Sequence, residues 1–436
     1  MIVALFTCSP SHGLAQEETT GTSSEAATTG QSETPAAPVQ MRDGGQVATR
    51  VDDTLSDSGR AIGPASNLGT GNFSKSPFHI SVSVREGYDD NVYTTTQSRV
   101  GSWFTNASAV LDYKFGNART RFDLQAVAGA TYYYYRPFGQ EYDVNTGLSF
   151  DLEHHATPRL TLTATAYLTY QTEPDLNNGF GINRRAGNYF YTVDKFTLAY
   201  QWAPRFSTAT SYTFGAINYD DSSIGAFEDR FEHTFGNEFR FLVLPTTTLV
   251  GEYRFQITDF DVAPRDSTTH FVLAGVDHTF NPRFNVSVRA GAEFREIDNF
   301  DERTSPYAES TVRYAAGERT SLAWLSRFGL EEPDVPGSPS RETFRTGLTL
   351  NYAIDSRITA SGSVFYEHDN NDGVLTSTFF QPEFTEDTID LGIGLRYDIN
   401  RVYALIAGYN FTEVFSEIPF REYYRNRVYL GLNATF

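Results

Sequence analysis

From residue 78 to residue 436 one pattern recurs: apolar and polar side chains alternate with a period of two. Phe78, Ile80, Val82 and Val84 alternate with His79, Ser81, Ser83 and Arg85. Leu160, Leu162, Ala164, Ala166, Leu168 and Tyr170 alternate with Thr161, Thr163, Thr165, Tyr167, Thr169 and Gln171. Residues 284–295, 358–367 and 389–398 repeat the pattern. The final run sets Val428, Leu430, Leu432, Ala434 and Phe436 against Arg427, Tyr429, Gly431, Asn433 and Thr435. A strand sends successive side chains to opposite faces, so each run has one greasy and one polar face. The runs reach the ~9–11 residues that a tilted membrane strand needs, beyond the ~5–6 usual in globular sheets.

The connections carry a second pattern. Short turns recur at Thr157-Pro158-Arg159, Ala203-Pro204-Arg205, Leu244-Pro245-Thr246, Asn281-Pro282-Arg283, Gly317-Glu318-Arg319, Asp355-Ser356-Arg357 and Ile399-Asn400-Arg401. Proline presets φ for a tight turn, and Asn or Asp caps it. Neighbouring turns lie 36 to 46 residues apart (158, 204, 245, 282, 318, 356, 400), about one hairpin each. Between them fall longer polar stretches at 173–188, 219–225, 259–267, 298–305, 331–341, 369–387 and 413–425. Short turns alternating with long loops are the habit of bacterial membrane barrels, turns on the periplasmic side and loops outside. The fold class expected is all-β: a transmembrane, antiparallel, up-and-down β-barrel of about 18 strands, with 16 also acceptable. A soluble sandwich is the rival, and strand length tells against it. A barrel of that width encloses an aqueous lumen. Aromatic clusters at Tyr132 to Tyr135, Tyr189 to Tyr191, Phe379 and Phe380, and Tyr423 and Tyr424 are expected in girdles at the two interfaces.

Composition narrows the field further. No apolar run approaches the ~18 residues of a spanning helix. A formal charge of −20 excludes nucleic acid as a natural partner. The lone Cys8 rules out a disulfide framework or a thiolate metal site. Residues 1–15 read as a signal peptide, truncated at its start. Ile2 to Phe6 are apolar and Gly13-Leu14-Ala15 ends small-x-small, yet no Lys or Arg precedes them. Residues 16–76, rich in Thr, Ser, Gly, Ala, Glu and Pro, read as a disordered periplasmic tail. Residues 77–436 read as the barrel.

After the first strand comes Gly87-Tyr88-Asp89-Asp90-Asn91-Val92-Tyr93. This acidic-Asp-Asn-apolar-aromatic stretch resembles the opening of the outer-membrane β-barrel family called beta-barrel porin 2, over about 78–436. The resemblance implies an outer-membrane location and proteins encoded beside exopolysaccharide synthesis and export genes. The terminal Phe436 is similar to the closing signal that such barrels present to the assembly machinery. The uncharged start of the signal segment departs from the usual pattern.

Charged residues on the polar register are the candidate lumen lining: Arg121, Asp123, Glu232, Glu238, Arg240, Glu252, Arg254, Arg289, Glu293, Arg295, Asp390, Arg396 and Arg427. They are either a field that guides solute or cross-strand ion pairs that brace the wall, and the two roles can coexist. Tyr167, Tyr403 and Tyr409 are read on the same register, as aromatic faces for sugar. The stretch from Glu367 to Gly373 looks like a calcium loop but misses the EF-hand spacing, and a solvated loop is the preferred reading. His154-His155 has no third ligand in sight. No nucleophile elbow, metal-spaced histidine pair or phosphate loop is present. The expected function is a porin-like channel for polar solutes or exopolysaccharide. It needs no cofactor or metal, and its partners are the bilayer, lipopolysaccharide, the barrel assembly machinery and polysaccharide. A non-conducting surface or scaffold barrel is the alternative, and a barrel hydrolase is third.

Overall fold

A computed structural model describes residues 77–173, 187–317, 319–335, 338–375 and 380–436. The signal segment and tail at 1–76, Glu318 of one turn, Phe379 and the side chain of Phe380 lie outside the described residues. The strands are β1 (Phe78–Asp89), β2 (Ser102–Gly116), β3 (Thr120–Tyr133), β4 (Tyr142–Thr157), β5 (Leu160–Gln171), β6 (Tyr189–Ala203) and β7 (Phe206–Tyr219). A short helix, α1 (Ser222–Glu228), precedes β8 (Arg230–Leu244), β9 (Thr247–Phe260), β10 (Ser267–Asn281), β11 (Phe284–Ile297) and β12 (Arg303–Ala316). Then come β13 (Thr320–Glu331), β14 (Arg341–Ala353), β15 (Ile358–Asn371), the two-residue β16 (Val374–Leu375) and β17 (Phe380–Gln381), β18 (Phe384–Asp398), β19 (Tyr403–Ser416) and β20 (Tyr423–Thr435).

Eighteen of these strands form one sheet, with β16 and β17 a separate hairpin. Each wall strand pairs antiparallel with its chain neighbours, and β1 pairs with both β2 and β20, so the sheet closes. The seam runs from Ser81↔Thr435 to Asp89↔Arg427. Beyond it, Ile80 and Phe436 exchange backbone hydrogen bonds of 3.1 and 2.8 Å. Closure leaves no strand edge in a medium where water cannot satisfy backbone groups.

Alternation decides which way each side chain points. Val84 is 50% exposed and Leu430 62%, whereas their neighbour Arg85 is 1% exposed. Without surrounding lipid, exposure marks the outer face. Wall strands run from 12 to 16 residues, long enough to cross tilted.

The turns at the end where β1 begins and β20 finishes share a side-chain device. Asn117, Asp355 and Asn400 each accept two backbone N–H bonds on their side-chain oxygen, and Thr157 does so through Oγ1. The four proline turns add another. Ladder register shifts between His155 and Thr157, Gln201 and Ala203, Leu242 and Leu244, and Thr279 and Asn281, each just before the proline. Proline has no N–H to continue the ladder, so the strand bulges before it turns.

Three expectations need correction. The supposed loop from Glu367 is strand β15 as far as Asn371, with Glu367 and Asp369 inward. Its polar sequence hid the alternation because both faces are hydrophilic there. Tyr132, Tyr134 and Tyr135 are outward and exposed, but Tyr133, Tyr189, Tyr191 and Tyr423 are buried inside the barrel, so the aromatic clusters are not wholly girdle. Tyr403 and Tyr409 point outward, while Ala404 and Ile406 of the same strand are buried inside. Apolar residues occupy both faces of β19, and parity could not be fixed from composition there.

Candidate functional site

The interior is not an apolar core. The inward positions of β8 to β15 carry a lattice of guanidinium and carboxylate groups. Arg240 joins Glu238 and Asp277, each at 2.8 Å. Arg289 reaches the same Asp277 at 2.8 Å and Glu252 at 3.7 Å. Arg254 pairs with Glu252 and, at 2.8 Å, with Glu309, which also accepts a 2.6 Å bond from the Tyr307 hydroxyl. Five strands are thus cross-braced by one network. A charge at these heights belongs inside, since facing lipid costs an Arg ~2–4 kcal/mol at mid-membrane.

A second network lies on β13 to β15. Arg341 meets Asp369 at 2.8 Å and Glu331 at 3.3 Å; Arg345 meets Glu367 at 2.6 Å and Glu331 at 3.1 Å. All five side chains are buried. A third lies at the seam: Arg425 bridges Asp89 at 2.5 Å and Glu173 at 2.7 Å. Glu173 follows β5, so the start of that connection reaches inward to β20.

The wall of β2 to β7 differs. Val110, Val127, Tyr167, Tyr191, Ile217 and Tyr219 form a buried apolar and aromatic cluster. Tyr189 belongs to the same cluster, and its hydroxyl accepts a 2.6 Å bond from Gln171. The interior is therefore densely charged along β8 to β15 and richer in tyrosine along β2 to β7, where charges are sparser, as in the Arg136–Asp143 pair at 2.7 Å.

At the loop end, the described residues between β13 and β14, 332–335 and 338–340, are drawn inward and tied by arginines. Arg295 of β11 donates to the carbonyls of Leu330 and Glu331 and pairs with Glu332 at 3.1 Å. Arg265, between β9 and β10, donates to the carbonyls of Pro333 and Ser338, each at 3.2 Å. Arg421, between β19 and β20, holds Asp334 through two bonds of 2.8 and 2.9 Å. Arg265 also donates to Phe227 of α1 at 2.8 Å and lies 3.6 Å from Glu228. Burial pushes the Glu228 carboxyl up from 4.5 to about 7, against the pull of Arg265 and Arg230. Burial also lowers the Arg265 guanidinium, opposed by Glu228. In this crowded contact desolvation outweighs attraction.

The sequence-read candidates fall as follows. Glu238, Arg240, Glu252, Arg254 and Arg289 share the first network, and Glu232 pairs with Arg230 at 3.0 Å. Arg295 ties the inward segment, and Glu293 accepts the Leu330 N–H. Asp390 is buried and accepts a 2.6 Å bond from Thr412. Arg396 reaches Asp398 at 2.8 Å and Asn433 at 3.3 Å, away from the central network. Arg427 joins the seam cluster at 3.4 Å from Asp89. Arg121 is an exposed rim residue, 2.8 Å from Glu153, and Asp123 stands beside Lys114 in register. Phe436 lies outward at the seam, 68% exposed. Arg341, Arg345, Glu331, Asp369 and Arg425 were missed. Extending the alternation of Phe344, Leu348 and Leu350 would have placed the first two inside. Arg265 and Arg421 lie in connections and carry no periodic signal. Among the described residues no group of three His, Cys, Asp or Glu is placed to hold a metal ion.

Comparison with known proteins places this geometry in context. Residues 68–436 match the family model described as "Putative beta-barrel porin 2". No curated protein matches the chain. Among solved structures, OccAB4 of Acinetobacter baumannii is 11% identical, with 84% of this chain and 100% of that one covered and a TM-score of 0.43. The outer membrane protein opdK of Pseudomonas aeruginosa is 11% identical, with 82% and 99% covered and a TM-score of 0.42. The siderophore receptor PirA of Pseudomonas aeruginosa is 9% identical, with 84% and 81% covered and a TM-score of 0.39.

Proposed function

The chain belongs to the beta-barrel porin 2 family of the outer membrane, and from that premise we propose that it is a porin-like channel for polar solutes. One observation carries the reading: the wall is apolar outside and densely charged inside, with acids and arginines in balance. A barrel built to store lipid would line its interior with hydrocarbon. A balanced charged lining suits hydrated cargo of either sign and sets a local field for it. The residues that would meet that cargo are the lining charges that keep some exposure, among them Glu238, Arg240 and Asp277. The carboxylates Glu331, Glu367 and Asp369 are each neutralised by arginine, an arrangement that favours bracing and transport over acid–base catalysis.

Purified protein in planar bilayers should give discrete single-channel steps. No conductance, also after removal of residues 16–76, overturns the channel reading. Exopolysaccharide is the particular cargo that the family resemblance puts forward. Surface polysaccharide should fall when the gene is deleted; unchanged polymer removes that cargo and leaves the channel standing. We also assign Phe436 as the signal read by the assembly machinery. Phe436→Ala should lower the amount of folded barrel in the outer membrane, and an unchanged amount removes the assignment.

A further inference from the structure

The outer face of β6 to β10 carries polar groups in mid-strand, where hydrocarbon would be expected. Asp194 shares the outward register of β6 with Phe196 and Leu198, both exposed. The ladder places it beside Phe214, His233 and Ile257 on successive strands. The next row toward the turns is Phe196, Tyr212, Phe235, Phe255 and His270. The row after that is Leu198, Thr210, Asn237, Tyr253 and Val272. The patch therefore interleaves phenylalanines with one acid, two imidazoles, two tyrosines and an amide.

Some of these groups satisfy one another. Tyr212 OH lies 2.9 Å from His233 Nδ1, and Tyr253 OH 2.8 Å from His270 Nδ1. Thr210 donates to Asn237 at 3.0 Å. Asp194 accepts a 3.2 Å bond from Thr192, and among the described residues no cation pairs with it. A carboxylate set against acyl chains without a counter-charge is unfavourable. Buried against protein that offers a donor, it is compensated. Tyrosine and phenylalanine set among sparse polar groups is also how interface cores are composed.

The patch holds both halves of the missing pair, on opposite flanks. The acid stands on β6 and the imidazole of His270 on the opposite flank, β10, with that of His233 between them on β8. All copies in one membrane share an orientation, so a two-fold axis between them must run along the membrane normal. That axis reverses left and right and sets the acid flank of one copy against the imidazole flank of the other. We propose that the outer face of β6 to β10 is the contact between two copies of this chain, with Asp194 of each hydrogen-bonded to His233 or His270 of the other.

Two measurements test it on the full chain. Phe235, near the middle of the patch, is changed to cysteine in a Cys8→Ser background, and outer membranes are oxidised. Disulfide-linked dimer should exceed by at least tenfold that of Leu405→Cys on β19, nine strands round the ring. Equal yields overturn the proposal. In mild detergent, light scattering should give two chain masses for the wild type and one for Asp194→Leu. Altered gel mobility of the unboiled variant reports that its barrel still folds. A wild-type mass of one or three chains, or a folded Asp194→Leu that stays dimeric, overturns the proposal.

Discussion

At the residue scale, the interior behaves as a set of mutual obligations among charges. Arg345 serves Glu331 and Glu367 together, so its loss removes the shortest ion pair of each and leaves them to Arg341 and Arg327 at 3.3 to 3.8 Å. Breaking a buried pair from one side costs on the order of 3–5 kcal/mol. Arg345→Met should therefore lower the urea midpoint of the barrel in detergent, and Arg345→Lys should recover only part, since it lacks the forked donor. An unchanged midpoint would mean that water already screens the cluster. Glu228 gives the opposite sign of coupling. Its folded carboxyl is raised from 4.5 to about 7, so the fold favours the neutral form. Its contribution is fully present below about 4.5 and is lost as pH rises through about 7. Amide protection across 221–229, corrected for intrinsic exchange, should fall over that window, and Glu228→Gln should flatten the dependence. The sequence made the strand charges readable through parity, as with Arg254 beside outward Tyr253 and Phe255. It was silent on Arg265 and Arg421, whose partners are backbone carbonyls and acids brought near only by loop folding.

At the element scale, hairpins are set by their caps. Asn400 accepts from the N–H groups of Val402 and Tyr403 at 2.8 and 2.9 Å. Asn400→Ala should cost about 1 kcal/mol, the usual net value of such bonds, read as a small drop in the unfolding midpoint. The starts of the wall strands were legible to within a few residues because turn residues and alternation agree, as at Pro158, Pro204 and Pro282. β15 was cut short and β19 placed on the wrong face for one reason: parity is invisible when both faces of a strand share a polarity. At the seam, a Cβ on Gly431 would stand 2.5 Å from the Val84 carbonyl and 2.7 Å from Arg85 Cγ. Gly431→Val should hinder closure and reduce the folded fraction, seen as loss of the unboiled gel band.

At the scale of the whole molecule, residues 331–335 and 338–340 link three distant parts of the mouth through Arg265, Arg295 and Arg421. Freeing them by Arg265→Ala with Arg421→Ala should raise single-channel conductance, whereas an unchanged step size would show that they do not bound the path. The strand number and the inward charges were foreseeable from turn spacing and register. The inward fold of this segment was not, since Pro and Gly loops carry no period. The bond between the first and last strands has a further meaning for biogenesis. Their paired residues, Ser81 with Thr435 at one limit, emerge from the ribosome some 350 residues apart. Nothing can seal until synthesis of the wall is finished, and β1 must be kept from false partners throughout. Translation that stalls short of β20 thus yields no smaller pore, only an open sheet for proteases to clear.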